Sequence, residues 1–151
     1  MKFFLFFTVL LFGVAHAQNT SITMSSNLKI NCKFEKVIIK NSEYNFETFT
    51  KDQIKRNDIN EMTVLSKTPD TLIVKNLSNF INNIDLEVKI FNKDIFLIQA
   101  FDKDKNYSES AVLTFKTGEL VHEITSNINQ EIKVKDISFY TCKKMKAFEN
   151  N

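Results

Sequence analysis

Four residues with oxygen-bearing side chains occupy alternate positions in one polar segment, namely Asp102, Asp104, Asn106 and Ser108. Oxygen ligands at the first, third, fifth and seventh positions are how a calcium-binding loop begins. The rest of that motif is absent, because Tyr107 stands where the sharp turn needs glycine and Leu113 where the bidentate glutamate belongs. The segment therefore predicts a solvated hairpin loop, with a calcium site that also uses Glu109 as the alternative.

His122 is the only histidine after residue 17, and it alternates with the apolar Leu120 and Ile124. This spacing predicts a strand histidine that is buried or partly exposed. One histidine cannot form a two-histidine metal site, and no serine has the flanking glycines of a nucleophile elbow. We therefore expect no catalytic residue, no metal and no cofactor. A Ser-His-Asp hydrolase stays open as a remote alternative.

The chain has two cysteines, Cys32 and Cys142, which are 110 residues apart. In an exported protein an even number of cysteines favours a disulfide over metal binding or catalysis. The expected bond joins the first strand to the last, and two buried free thiols are the alternative.

Three Asn-x-Ser/Thr sequons begin at Asn19, Asn76 and Asn106. In a eukaryotic secretory pathway they are candidate glycosylation sites on surface loops. In a bacterial host they have no such meaning, and the sequence does not decide between the two.

Residues 1–17 have the pattern of a secretory signal peptide. Lys2 precedes an uncharged apolar run, and Ala15 and Ala17 provide small residues for cleavage. The run is shorter than the roughly 20 apolar residues that span a bilayer, so we predict no membrane span. The predicted organisation is a signal peptide at 1–17, a single β domain at 18–142 and a polar tail at 143–151. Such a protein is secreted or periplasmic.

The remaining chain alternates polar and apolar residues with a period of two, which is typical of half-buried strands. Leu28 to Phe34 alternate cleanly, and a phase slip before Val37 predicts a β-bulge. Ile95 to Phe101 is nearly all apolar and predicts a central strand. Further strands are predicted around residues 44–46, 62–65, 72–74, 86–90, 111–115, 120–124 and 132–142. Thr50 with Gln53, and Ser78, are candidate caps of two short helices.

Glycine and proline cannot mark the turns of this chain, because it has two Gly and one Pro in 151 residues. Asparagine and aspartate must take their place, since both tolerate a left-handed backbone and cap their own turns. Eight or nine short strands separated by such turns predict an all-β, antiparallel β-sandwich. A small closed β-barrel of the lipocalin-like kind is the alternative, because both folds alternate inward and outward residues.

Residues 94–117 resemble the last hairpin of fibronectin type III domains. An alternating strand leads to Ala100 and Asp102, and a polar turn contains Asn106, Ser108 and Ser110 before a second strand. The sequence departs from that family where it has Asp94 in place of an early tyrosine. The resemblance implies an immunoglobulin-like sandwich, and such modules bind other proteins or space them apart.

The composition favours binding without catalysis. A net charge of +2 gives no electrostatic basis for binding nucleic acid. We predict a non-catalytic protein-binding module of the adhesion, inhibitor or toxin-neutralising type, with another protein as partner. The alternative is a carrier of a small apolar ligand, because ten of the 15 Phe follow residue 17 and aromatic side chains suit the lining of a cavity.

Overall fold

The computed structural model describes residues 28–68, 71–87, 94–128 and 130–145. The predicted signal peptide at 1–17 lies outside these ranges, as do Asn19 and residues 146–151. Nine strands occupy the described part. They are β1 (Leu28–Lys40), β2 (Asn45–Thr50), β3 (Ile59–Thr68), β4 (Thr71–Lys75), β5 (Ile84–Glu87), β6 (Ile95–Asp102), β7 (Tyr107–Thr114), β8 (Glu119–Ser126) and β9 (Val134–Lys144).

All nine strands belong to one antiparallel sheet with the order β5-β4-β3-β1-β9-β8-β7-β6. Strands β5 and β6, at the two ends of this order, lie close together, so the sheet is nearly closed and barrel-shaped. Strand β2 stands outside the order and pairs with the second half of β1. The all-β prediction is confirmed, and the sheet fits the barrel alternative.

The first and last strands form the longest ladder of the sheet. β1 pairs with β9 from Ile30 to Lys40, and the register shifts between Phe34 and Lys36. This shift is the bulge that the phase slip in the sequence predicts, and it returns Val37 to the buried face. Cys32 lies directly opposite Cys142, and the two form the expected disulfide.

Asparagines occupy several turn positions with a left-handed backbone, as expected from the scarcity of glycine. Positive φ angles occur at Asn76, Asn83, Asn106 and Asn127. Gly118 also has a positive φ of 74°, and it lies so close to β9 that a Cβ would be 2.6 Å from the carbonyl oxygen of Cys142. Only glycine fits this turn between β7 and β8 without displacing the backbone.

The structure corrects the prediction that Ile95 to Phe101 form a central strand. β6 stands at one end of the pairing order, and its side chains alternate. Phe96 and Ile98 are buried, whereas Ile95 and Phe101 are exposed. The prediction is wrong because an apolar run does not show which of its residues face solvent.

The two candidate helices are single turns. The Ser78 hydroxyl accepts the backbone N–H groups of Phe80 and Ile81, and the Gln53 side chain accepts the backbone N–H of Thr50. The caps therefore form as their residue types suggest, without a helix to follow. At the other end of the chain, β9 continues to Lys144, so the strand extends two residues into the predicted tail.

We expect replacement of both cysteines, Cys32→Ala with Cys142→Ala, to lower the free energy of unfolding by about 2–4 kcal/mol. The bond restricts the unfolded chain, because it closes a loop of 110 residues in sequence. Urea denaturation followed by circular dichroism measures the loss. An unchanged unfolding midpoint would contradict a stabilising role for the bond.

Candidate functional site at one end of the barrel

The cross-strand register arranges the buried side chains in layers, because directly opposed residues point to the same face of a sheet. One layer is apolar and aromatic, and we call it the apolar layer. It consists of Phe34, Tyr140, Leu120, Leu113 and Phe96. These side chains are buried and belong to the continuous hydrophobic core. This part of the barrel is therefore filled.

Polarity increases in the next two layers along the barrel. The middle layer consists of Val37, Ser138, His122, Ala111 and Ile98. The acidic layer, one step further, consists of Ile39, Asp136, Ile124, Glu109 and Ala100. Two carboxylates therefore face inward on β7 and β9, with β8 between them. Ionisable groups are rarely buried unless they have partners, so each carboxylate needs one.

The Glu109 carboxylate has two partners inside the barrel. One oxygen contacts Nε2 of His122, and the other accepts a hydrogen bond of 3.0 Å from the Tyr107 hydroxyl. Glu109 and His122 are 2% and 6% exposed, so this pair lies in the low-dielectric interior. Because Nε2 of His122 contacts Glu109, the other ring nitrogen, Nδ1, remains for another partner.

The Asp136 carboxylate is held in a similar way. It forms an ion pair with the guanidinium of Arg56, which comes from the connection between β2 and β3. Its second oxygen accepts a hydrogen bond of 3.1 Å from the Ser138 hydroxyl in the middle layer. The Nε atom of Arg56 is buried and has no hydrogen-bond partner within the described residues. A buried N–H donor without a partner is unusual in a folded protein.

A cavity of about 550 Å³, open to solvent on one side, lies beside these two groups. It is at the end of the barrel where the chain connects β2 to β3, β4 to β5 and β6 to β7. Its apolar and aromatic walls include Leu77, Phe80, Tyr107, Ile124 and Tyr140. Its polar walls include Arg56, Lys105, His122 and Ser138. The volume lies within the range of small-molecule binding sites in proteins.

Aromatic rings and a cation stand on one side of this cavity. The rings of Phe80 and Tyr107 meet edge to face with centroids 4.6 Å apart, and Lys105 Nζ lies 5.6 Å from the centroid of Phe80. Burial and the neighbouring Glu109 carboxylate raise the pKa of Tyr107, and burial raises the pKa of Tyr140. Both phenols are therefore neutral hydrogen-bonding groups at physiological pH.

The polar segment at 102–108 forms the turn between β6 and β7. One carboxylate oxygen of Asp102 accepts the backbone N–H groups of Asp104 and Lys105. The hydrogen bond from Lys105 lowers the pKa of Asp102, and the Lys105 ammonium lies 3.1 Å from its second oxygen. Within the described ranges, no group of three or more His, Cys, Asp or Glu is placed to hold a metal ion.

The structure separates the other residues singled out in the sequence. The sequon residue Asn76 is exposed in the turn after β4, and Asn106 is half-buried in the turn after β6. Ser138 lies opposite His122, but its hydroxyl donates to Asp136 and does not form a Ser-His-Asp chain. The disulfide lies on the β1–β9 ladder, on the far side of the apolar layer from the cavity.

Sequence reasoning missed Arg56 as part of a site, and it considered Glu109 only as a ligand of the alternative calcium site. A signal for Glu109 was present, because it shares the inward phase of Ala111 and Leu113 on β7. A charged residue on the apolar face of a strand indicates a buried polar contact. Arg56 gave no such signal, since its partner Asp136 is 80 residues away in the sequence.

No protein-family model matches the chain, and no curated protein or solved structure matches it. In the described part of the chain there is no helix long and apolar enough to cross a bilayer. The function of the chain must therefore be inferred from its own geometry.

We expect His122→Ala to lower the free energy of unfolding by about 3–5 kcal/mol, because it leaves the Glu109 carboxylate buried with only Tyr107 as partner. The double variant Glu109→Leu with His122→Leu should recover most of this loss, since apolar residues often replace a buried pair without cost. Urea denaturation measures both.

A matched control is Glu123→Ala, at a residue on the same strand as His122. This variant removes a partly exposed ion pair between Glu123 and Lys135 of β9. Exposed ion pairs contribute about 0–1 kcal/mol to stability, so the free energy of unfolding of this variant should stay close to that of the parent protein. A His122→Ala variant as stable as this control would show that Glu109 does not depend on His122.

Proposed function

We propose that the protein binds a small, largely apolar molecule in the cavity at the end of the barrel. The single observation that carries this proposal is the cavity itself, which is bounded by aromatic rings and by a few fixed polar groups. Apolar walls with a small number of oriented polar groups are typical of ligand sites. The apolar layer closes the barrel below the cavity, so a ligand would enter from the connecting loops.

The disulfide favours an oxidising compartment for this function, because such bonds persist in exported proteins and are rare in reducing compartments. Together with the signal-peptide pattern at residues 1–17, it supports a secreted or periplasmic carrier. In this proposal the protein holds its ligand without transforming it. The polar groups of the wall orient the ligand.

We expect the purified protein to bind the neutral, apolar dye N-phenyl-1-naphthylamine with an increase in dye fluorescence. Phe80→Ala should weaken this binding roughly ten-fold, because it removes an aromatic wall of the cavity. A fluorescence titration measures the affinity.

The matched control is Phe101→Ala, which removes a ring of the same kind that is 63% exposed on β6 and does not line the cavity. This variant should bind the dye like the parent protein. If the parent protein does not bind the dye, or if both variants bind like the parent, the cavity is not the binding site.

The outer edge of β2 favours a second candidate function, a protein-binding module. Among the described strands β2 pairs only with β1, so its other edge carries backbone groups available to an added strand. Phe46 on this strand is 49% exposed and has a positive φ of 60°, which is uncommon for a bulky residue. We propose that an extended segment of a partner protein adds to β2 along Glu47 to Thr50 and contacts the Phe46 ring at the adjoining bulge.

We expect Phe46→Asp to abolish the capture of a partner from the secreted fraction of the host, while dye binding stays unchanged. Phe101→Asp places the same charge at an exposed ring away from β2 and should leave capture intact. Quantitative mass spectrometry of cross-linked samples compares the three proteins. Equal capture by all three would exclude this edge as the contact.

A further inference from the structure

The polar groups around the cavity have an uneven balance of hydrogen-bond donors and acceptors. The two carboxylates of the acidic layer are already used within the protein, Glu109 by His122 and Tyr107, and Asp136 by Arg56 and Ser138. Neither carboxylate lines the cavity, and its described walls contain no Asp or Glu. Each oxygen of these two carboxylates is therefore bonded to a donor of the protein itself.

The groups that do line the cavity are mainly donors or cations. Arg56 contributes its guanidinium, and its side chain is 31% exposed beside the Asp136 carboxylate. Lys105 adds an ammonium group, and the ion pair that it forms with Asp102 is exposed, so water or a ligand can compete for it at little cost. A ligand that matches these donors supplies acceptor oxygens, and a negative charge on those oxygens strengthens the hydrogen bonds.

The remaining walls require an apolar body on the same ligand. Leu77, Phe80 and Ile124 present hydrocarbon to the cavity, and the Phe80 ring lies between Tyr107 and the ammonium of Lys105. Arg56 is partly neutralised by Asp136, so a head group with one negative charge suits this site better than a doubly charged one.

We propose that the ligand is an amphipathic carboxylic acid, with its carboxylate near Arg56 and Lys105 and its hydrocarbon chain along Phe80. This inference rests on the proposed function of the cavity and specifies the class of ligand. The Arg56 guanidinium and the Lys105 ammonium donate to the carboxylate, and the chain replaces water at the apolar wall.

Competition against bound N-phenyl-1-naphthylamine tests this proposal with three probes of equal chain length. We expect decanoate to displace the dye at a roughly ten-fold lower concentration than decanol, since hydrogen bonds to charged groups are stronger than those to neutral ones. Decyltrimethylammonium should be the poorest competitor. The chain has three Tyr and no Trp, and Tyr107 and Tyr140 line the cavity, so tyrosine fluorescence gives a second readout.

Two variants test the cations separately. Lys105→Met should reduce the preference for decanoate over decanol severalfold, whereas Lys103→Met, in the same turn but outside the cavity walls, should preserve it. For Arg56 the variant is Arg56→Met with Asp136→Asn, because removal of Arg56 alone would leave Asp136 to repel the anion. This double variant should also weaken the binding of decanoate and leave the binding of decanol unchanged.

The outcomes separate this inference from the proposed function. If the dye binds but decanoate competes no better than decanol, the cavity binds apolar molecules and the carboxylate is excluded. Tighter binding of decyl phosphate than of decanoate would also overturn the carboxylate assignment. If the dye does not bind the parent protein, the proposed function itself fails. Weaker decanoate binding when the salt is raised from about 20 to about 500 mM would support the proposal.

Discussion

The pairing of the first strand with the last is the constraint on which the rest of the structure depends. β1 and β9 are separated by most of the chain, and their ladder joins the β3–β4–β5 side of the sheet to the β8–β7–β6 side. The Cys32–Cys142 bond fixes this ladder at one position, and the shift near Glu35 sets which side chains face inward beyond it. Without this ladder, no strand pairing would connect the half of the sheet that contains β3, β4 and β5 to the half that contains β8, β7 and β6.

The layers follow from this register. Phe34 lies opposite Tyr140 in the apolar layer, and the register shift after Phe34 then places Val37 opposite Ser138. The neighbouring strands then bring His122 beside Ser138 and Glu109 beside Ile124. A one-residue slip would move every one of these side chains to the opposite face of the sheet. The position of the polar site is thus a consequence of the same ladder that closes the barrel.

Local patterns in the sequence were sufficient for the positions of most strands, and the even number of cysteines was sufficient for the disulfide. The alternation around Cys32, the phase slip before Val37 and the turn asparagines each depend on residues close in sequence, where period and residue type are informative. The same patterns did not distinguish a β-sandwich from a β-barrel. Closure of the barrel depends on contacts between β5 and β6, which the alternation of residues within one strand does not reveal. The contact of Arg56 with Asp136 is equally non-local.

Stability alone does not explain the acidic layer. The apolar layer shows that this barrel can fill its interior with Phe, Leu and Tyr, and apolar residues in place of a buried ion pair are often neutral or stabilising. Glu109 and Asp136 nevertheless face inward, and each requires two partners to offset its desolvation. Their partners are the residues that line the cavity. The two carboxylates therefore orient His122, Tyr107, Ser138 and Arg56 toward a common space, which is the arrangement that a binding site requires.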